Sequence, residues 1–123
     1  MTDRLEIEQS LGVGESIASS NGVYQLVLQS DGNLVLYNTV FNRATWASGT
    51  AGQTATQAVL EQDGLFVIYG SLGRTPGGAI WSSINRGGAG TTLIMQNDGN
   101  LVLYTSNGSP VWATNTAPQP HRR

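Results

Sequence analysis

The sequence predicts an all-β fold, and three observations carry that reading. A nine-residue pattern occurs three times, as QSDGNLVLY at 29–37, EQDGLFVIY at 61–69 and QNDGNLVLY at 96–104. Repetition at such a period means repeated supersecondary units. Each copy sets an Asp-Gly between apolar and β-branched runs, which is a hairpin signal. No 11-residue window keeps a helical period free of Gly, Pro or a polar cluster, except a weakly amphipathic stretch over Leu5–Leu11.

The repeats extend beyond the hairpins. The central aspartates Asp31, Asp63 and Asp98 lie 32 and then 35 residues apart, and a tryptophan follows each hairpin at Trp46, Trp81 and Trp112. From Trp46 to Glu61 and from Trp81 to Gln96 the step is 15 residues both times. A constant step implies a fixed path. Between Tyr and Trp the step varies (9, 12 and 8 residues), which implies a surface loop, longest at Gly70–Ala79. The units fall at 25–46, 57–81 and 92–112, and each is expected to hold about four short strands. A single domain is expected over 1–116, with 117–123 as a solvated tail.

Parity specifies the faces. Alternate residues of a strand share a face. Leu26, Leu28, Leu34 and Leu36 are large and apolar, whereas Gln29, Asp31, Asn33 and Tyr37 are polar. Keeping the leucines together requires cross-strand partners whose numbers sum to an even value. The loop around Gly32 must therefore hold an odd number of residues, three or five. The same parity places Leu60, Phe66 and Ile68 inward in the second unit and Leu93, Met95, Leu101 and Leu103 inward in the third. A slip of one residue would bury the polar set. Three such sheets can close around a common axis, with the tryptophans filling its centre. The segment after Trp112 has no hairpin following it. Either the N-terminal segment closes the barrel or the C-terminal strand crosses to another subunit.

Composition removes several function classes. The 123 residues include no cysteine and one histidine, His121, so disulfides, thiolate catalysis, His-dependent triads and Cys or His metal sites are not expected. Charged residues make up 11% of the chain and net charge is −2, which argues against a nucleic-acid surface. No run of 18 apolar residues is present, so no membrane insertion is expected. The start of the chain shows no basic segment leading into an apolar one, so the expectation is cytoplasmic synthesis, with non-classical release if the target is outside the cell.

The polar face has the chemistry of a sugar site. The amides of Gln29 and Asn33 donate and accept, the Asp31 carboxylate accepts, and the Tyr37 phenol does both. Val35 lies among them as a small apolar patch. A hexose offers vicinal hydroxyls and a C–H face. Asp31 and Asn33 can hold one axial hydroxyl as a pincer, and Gln29 and Tyr37 can hold its neighbours. No metal, cofactor, base or nucleophile is called for.

The pattern Gln-x-Asp-x-Asn-x-Val-x-Tyr resembles the mannose-binding signature of the monocot (snowdrop-type, bulb-type) lectins. It is intact at 29–37 and 96–104 and degraded at 61–69. The resemblance covers roughly residues 5–116, because the repeats and tryptophans fit as well. It implies a β-prism II: three four-stranded antiparallel sheets with pseudo-threefold symmetry. It also implies a non-enzymatic, multivalent lectin for α-D-mannose and mannose-containing glycans, and a homodimer by C-terminal strand exchange. Glutamine and tyrosine would hold the 3- and 4-hydroxyls, the Asp/Asn pair the axial 2-hydroxyl, and valine the ring. These roles fall on Gln29, Asp31, Asn33, Val35 and Tyr37, and on Gln96, Asp98, Asn100, Val102 and Tyr104.

Two departures stand out. In the middle copy Glu61 replaces glutamine and Leu65 replaces asparagine, while Asp63, Val67 and Tyr69 remain. A carboxylate cannot donate and leucine removes half the pincer, so this site is expected to be weak or dead. Glu61→Gln with Leu65→Asn is expected to restore it. The other departure is the missing cysteine, which points to a bacterial or other cysteine-free member rather than a disulfide-bearing plant one.

Other readings were weighed against this one. Asp-Gly-Asn is good turn chemistry by itself, but a turn requires neither Gln29 nor Tyr37. A calcium loop would need a glutamate twelve residues on and flanking helices. A glycosidase would need a carboxylate pair, and only Glu61 and Asp63 are close and co-facial. The alternative function is an antimicrobial or bacteriocin-like interaction module on the same fold, with vestigial sugar sites.

Overall fold

The computed structural model describes residues 2–118, so His121 and the Arg122-Arg123 end of the expected tail lie outside the described residues. The described residues form twelve strands: β1 (Arg4–Glu6), β2 (Ser10–Gly12), β3 (Ser16–Ala18), β4 (Tyr24–Leu28), β5 (Leu34–Asn38), β6 (Arg43–Ala47), β7 (Gln57–Leu60), β8 (Phe66–Tyr69), β9 (Ala79–Ser82), β10 (Thr92–Met95), β11 (Leu101–Tyr104) and β12 (Pro110–Ala113). They make three four-stranded sheets, ordered β3-β4-β5-β6, β2-β7-β8-β9 and β1-β10-β11-β12, with antiparallel pairing throughout.

The repeats supply three strands each, not four. The fourth strand of every sheet comes from the first 18 residues, which visit all three sheets in turn. The weak amphipathic stretch over Leu5–Leu11 is therefore strand, not helix, broken by a turn in which Glu8 has φ 67°. Leu5, Leu11 and Ile17 each insert one apolar side chain per strand into the core. Spaced six residues apart, they fall one to a strand and do not share a helical face. Of the two ways to complete the barrel, the N-terminal one is seen within this chain: β1 pairs with β10, and β12 pairs with its own β11.

Register follows the parity argument. Leu28 pairs with Leu34 and Leu26 with Leu36, so the first loop holds five residues, 29–33. Leu60 pairs with Phe66 and Met95 with Leu101, giving five-residue loops in the other units. Leu26, Leu28, Leu34, Leu36, Leu60, Phe66, Ile68, Leu93, Met95, Leu101 and Leu103 are all fully buried. Burial of each such side chain stabilises by about 1.5–3 kcal/mol relative to exposure.

All three sheets carry a bulge at one equivalent point. Leu36 pairs with Trp46 but Tyr37 with Ala44; Ile68 with Trp81 but Tyr69 with Ala79; Leu103 with Trp112 but Tyr104 with Pro110. A bulge bends and twists its strand. Here it separates the pairing of the outward tyrosine from that of the inward tryptophan. The tryptophan rings meet edge to face, with centroids 5.6–5.8 Å apart, a favoured aromatic geometry. They are half-buried rather than sealed at the centre. With Val111, Ile84 and Arg86 they line an open cavity of about 640 Å³, and the sealed interior is aliphatic apart from Phe66 and Tyr24.

The Asp-Gly turns are tied to what lies behind them. Gly32 has φ 90°, and a Cβ there would stand 1.8 Å from the Gln53 carbonyl oxygen. Gly14 has a similar φ of 86° with nothing within 4 Å of that position. Gly14→Ala is expected to cost about 1 kcal/mol for backbone strain alone. Gly32→Ala is expected to cost about 1–3 kcal/mol more, because overpacking adds to the strain. Urea midpoints of the two variants check the difference.

Candidate functional site

The three Asp-Gly loops share one internal frame. In the first, the Gln29 N–H donates to the Asn33 carbonyl at 2.9 Å, and the Gly32 N–H donates to the Gln29 carbonyl at 3.1 Å. The Asn33 N–H donates to Asp31 Oδ1 at 2.9 Å. The third loop repeats this with Gln96, Asn100, Gly99 and Asp98, and the middle one with Glu61, Leu65, Gly64 and Asp63. One carboxylate oxygen of each aspartate thus holds the turn, which orients the side chain.

The predicted side chains come together at the first and third hairpins. The Gln29 amide donates to the Tyr37 hydroxyl, and the Tyr104 hydroxyl donates to Gln96 Oε1. The two sites differ in the direction of that bond and in one further contact. Gln96 Nε2 turns toward Asp98, 3.2 and 3.3 Å from its two carboxylate oxygens, whereas Gln29 Nε2 is directed to the Tyr37 hydroxyl. Gln29, Asn33 and Tyr37 are half-buried and Asp31 is exposed, and their third-unit counterparts match. The groups form a shallow, partly preorganised surface of donors and acceptors.

The valine is less available than its position suggests. Val35 is 3% exposed and Val102 is 4% exposed. Their cross-strand partners on the same outer face, Val27 and Ile94, are half-buried and more accessible. The apolar floor is therefore a pair, Val27 with Val35 and Ile94 with Val102. Period-2 counting put Val27 outward but gave no reason to notice it.

Asparagine has a second task that sequence reasoning missed. Asn33 Oδ1 accepts from Ser48 Oγ at 3.1 Å, Gly49 N–H at 3.1 Å and Thr50 N–H at 3.2 Å. Asn100 Oδ1 accepts likewise from Thr114 Oγ1 at 3.2 Å, Asn115 N–H at 2.8 Å and Thr116 N–H at 3.3 Å. The carbonyl end of each asparagine anchors the chain after the tryptophan, which leaves the NH₂ end as the donor for a ligand. The anchoring requires a left-handed residue, and Gly49 (φ 77°) and Asn115 (φ 58°) supply it. The signal for this was the constant spacing after each tryptophan.

In the middle unit both halves of that arrangement are gone. Leu65 has no carbonyl to offer, and Ile84, a β-branched residue that disfavours positive φ, stands where Gly49 and Asn115 stand. Asn85 Nδ2 donates to the Gly64 carbonyl at 2.7 Å, the task that the Thr50 and Thr116 hydroxyls perform at 2.6 Å in the other units.

The other half of the middle hairpin is occupied by the chain itself. Tyr69 donates to Glu61 Oε2 at 2.8 Å, repeating the Gln–Tyr link of the other units. The free oxygen, Glu61 Oε1, accepts from Arg74 Nη2 at 3.0 Å. Arg74 also grips Glu8 through two bonds of 3.0 and 3.1 Å, and its guanidinium carbon lies 6.0 Å from the Tyr69 ring centroid. Hydrogen bonds from Arg74 hold the Glu8 carboxyl below the usual carboxylate range. Burial, and then the bond to Glu61, push the Tyr69 phenol up. Arg74 comes from the long loop between β8 and β9, and nothing in its local sequence marks it. Among the described residues, no group of three His, Asp or Glu side chains is placed to hold a metal ion.

No family model matches the chain. Solved structures do. The chain is 39% identical to a monomeric monocot mannose-binding lectin from Gastrodia elata, over 95% of this chain and 100% of that one, with a TM-score of 0.80. It is 41% identical to a domain-swapped lectin dimer from Mycobacterium smegmatis, over 92% of this chain and 99% of that one, with a TM-score of 0.54. A mannose-specific lectin of Dendrobium findlayanum is 51% identical over 47 residues, 37% of this chain and 27% of that protein. The chain spans about a quarter of that curated relative and about three-fifths of another, a B-type lectin of Scorpaena plumieri. Three antiparallel four-stranded sheets, two intact Gln-x-Asp-x-Asn-x-Val-x-Tyr hairpins and likeness over nearly the whole length agree: the chain belongs to the monocot mannose-binding, bulb-type lectin family, with the β-prism II fold.

Proposed function

We propose that this protein is a non-enzymatic lectin that binds α-mannose in mannose-containing glycans at two shallow sites per chain, on the β4–β5 and β10–β11 hairpins. The observation that carries the reading is the shared geometry of those hairpins: a Gln–Tyr hydrogen-bonded pair, an aspartate with one oxygen held by the turn, and an asparagine whose carbonyl is engaged elsewhere. That asparagine offers a donor beside an acceptor, which suits an axial hydroxyl. Gln29 with Tyr37, and Gln96 with Tyr104, face the neighbouring hydroxyls. The ring's C–H face meets Val27 with Val35, or Ile94 with Val102. The Gastrodia elata relative is described as mannose-binding, which supports the same ligand class here.

No catalytic step is assigned. The carboxylates nearest to a pair, Glu61 and Asp63, are both engaged: Glu61 with Tyr69 and Arg74, and Asp63 with the Leu65 N–H. Each shallow site is weak by itself, so useful affinity comes from several sites acting together. We propose a homodimer by exchange of β12. The pairs Val102 with Ala113 and Leu103 with Trp112, made within one chain here, would form between two chains with the same geometry. The Mycobacterium smegmatis relative is a domain-swapped dimer, which supports this assembly.

Two predictions test the proposal. Asn33→Asp with Asn100→Asp keeps the carbonyl-type acceptor that anchors the following segment and removes the donor. Calorimetry with methyl α-mannoside is expected to show two binding events in the unmodified protein and at least about a tenfold loss in the variant, the effect of about 1.4 kcal/mol. Equal binding of galactose, or undiminished binding by the variant, would count against the sites. Light scattering after size-exclusion chromatography is expected to return twice the chain mass; a monomer mass at working concentration would remove the strand-exchange reading.

A further inference from the structure

The middle hairpin combines two independent losses. Its polar ligands are changed at Glu61 and Leu65, and its surface is covered by Arg74. We infer that Arg74 is an internal plug that occupies the Gln–Tyr half of the third site and holds each chain at two sugar sites. This rests on the lectin reading above and extends it to the site that reading leaves out.

The geometry supports a plug rather than a passing surface contact. In the first and third units the Gln–Tyr link leaves the outer side of the pair open to a ligand. In the middle unit the equivalent Glu–Tyr link is intact, and the oxygen left over, Glu61 Oε1, is taken by Arg74 Nη2 at 3.0 Å. The guanidinium carbon stands 6.0 Å from the centre of the Tyr69 ring. Both residues that would meet neighbouring sugar hydroxyls are therefore already in contact with Arg74.

Glu8 makes the plug independent of Glu61. It binds the guanidinium in the fork-to-fork manner, with bonds of 3.0 and 3.1 Å. It lies in the turn between β1 and β2, and β2 is the edge strand of this same sheet. The twelve-residue step from Tyr69 to Trp81, the longest of the three, supplies the chain that reaches across. Its turns are internally bonded: the Gly73 N–H donates to the Gly70 carbonyl at 2.9 Å and the Gly78 N–H to the Thr75 carbonyl at 2.9 Å. The first and third units have shorter steps and no equivalent arginine. Among the described residues, Arg43, on β6, makes no ion pair at the first site.

One consequence differs from the reading of the sequence alone. Glu61→Gln with Leu65→Asn leaves Arg74 held by Glu8, and a glutamine at 61 still offers it a carbonyl acceptor. Asparagine at 65 also needs the left-handed residue that Ile84 does not supply. Rebuilding the ligand set therefore takes Glu61→Gln, Leu65→Asn and Ile84→Gly together. A plug favoured about tenfold over its open form weakens any ligand that needs the open form by about the same factor.

The experiment compares the rebuilt triple variant with and without Arg74→Ser, by calorimetry with methyl α-mannoside. The triple variant is expected to show two events, with any third at least about tenfold weaker than in the quadruple variant, which is expected to show three comparable ones. Three comparable events in the triple variant would overturn the proposal. So would two events in a quadruple variant whose thermal unfolding matches the unmodified protein. Nuclear magnetic resonance of the unmodified protein gives a reading free of sugar: slowly exchanging Arg74 guanidinium protons with contacts to the Tyr69 ring, unchanged at saturating methyl α-mannoside. A freely rotating guanidinium would refute the plug. If the unmodified protein binds no mannoside, the lectin reading falls by itself and the resonance measurement still decides the plug.

Discussion

The five-residue loop between Leu28 and Leu34 is the constraint on which the rest of this structure depends. An odd loop makes the paired residue numbers sum to an even value. Leucine then faces leucine across the hairpin, and the residues of the other parity take the outer face of the sheet. The same loop places aspartate and asparagine two residues apart, on the outer side of the turn. Burial of one face and assembly of the polar surface on the other are thus one event. A shift of a single residue would expose Leu34 and Leu36 and bury Asn33 and Tyr37. The site needs no dedicated scaffold, because it is the necessary outer side of a hairpin whose inner side is core.

Much of this was legible because it is local and repeated. Parity, an odd loop of three or five residues and the inward leucines follow from period-2 counting over nine residues, and two further copies test the count. The Gln, Asp, Asn and Tyr constellation was legible for the same reason. What was not legible depends on contacts distant in sequence. Leu5, Leu11 and Ile17 sit one per strand in three-residue strands, too short for alternation to show. Arg74 meets Glu8 across 66 residues, and no local pattern encodes such a pairing. The tryptophans were correctly placed as equivalent, yet equivalence alone cannot tell a sealed centre from the wall of an open cavity.

Asparagine at the fifth position of the loop shows how one residue type can serve two ends. Its carbonyl receives three hydrogen bonds from the segment after the tryptophan, and its NH₂ group remains for a ligand. Aspartate at that position would keep the first task and lose the second; leucine loses both. The middle unit compensates for the structural half only. Asn85 takes over the bond to the glycine carbonyl, so the turn stays fastened while the donor is not replaced. Stability and ligand chemistry have separated there, which shows that the fold does not require the polar set.

That separation explains why three equivalent sheets need not be three equivalent sites. Each hairpin is held by its own loop bonds and its own buried pairs, so a change on one outer face leaves the other two undisturbed. The exposed ion pair of Arg74 with Glu8 contributes little to stability. Its effect lies in position: a guanidinium fixed over the glutamate and tyrosine competes for the groups a hydroxylated ligand would use. A modest interaction would suffice against a ligand weakly held at a shallow surface. Threefold symmetry is thereby enforced in the interior, where a misplaced side chain leaves a cavity, and relaxed on the outside, where only ligand contacts are at stake.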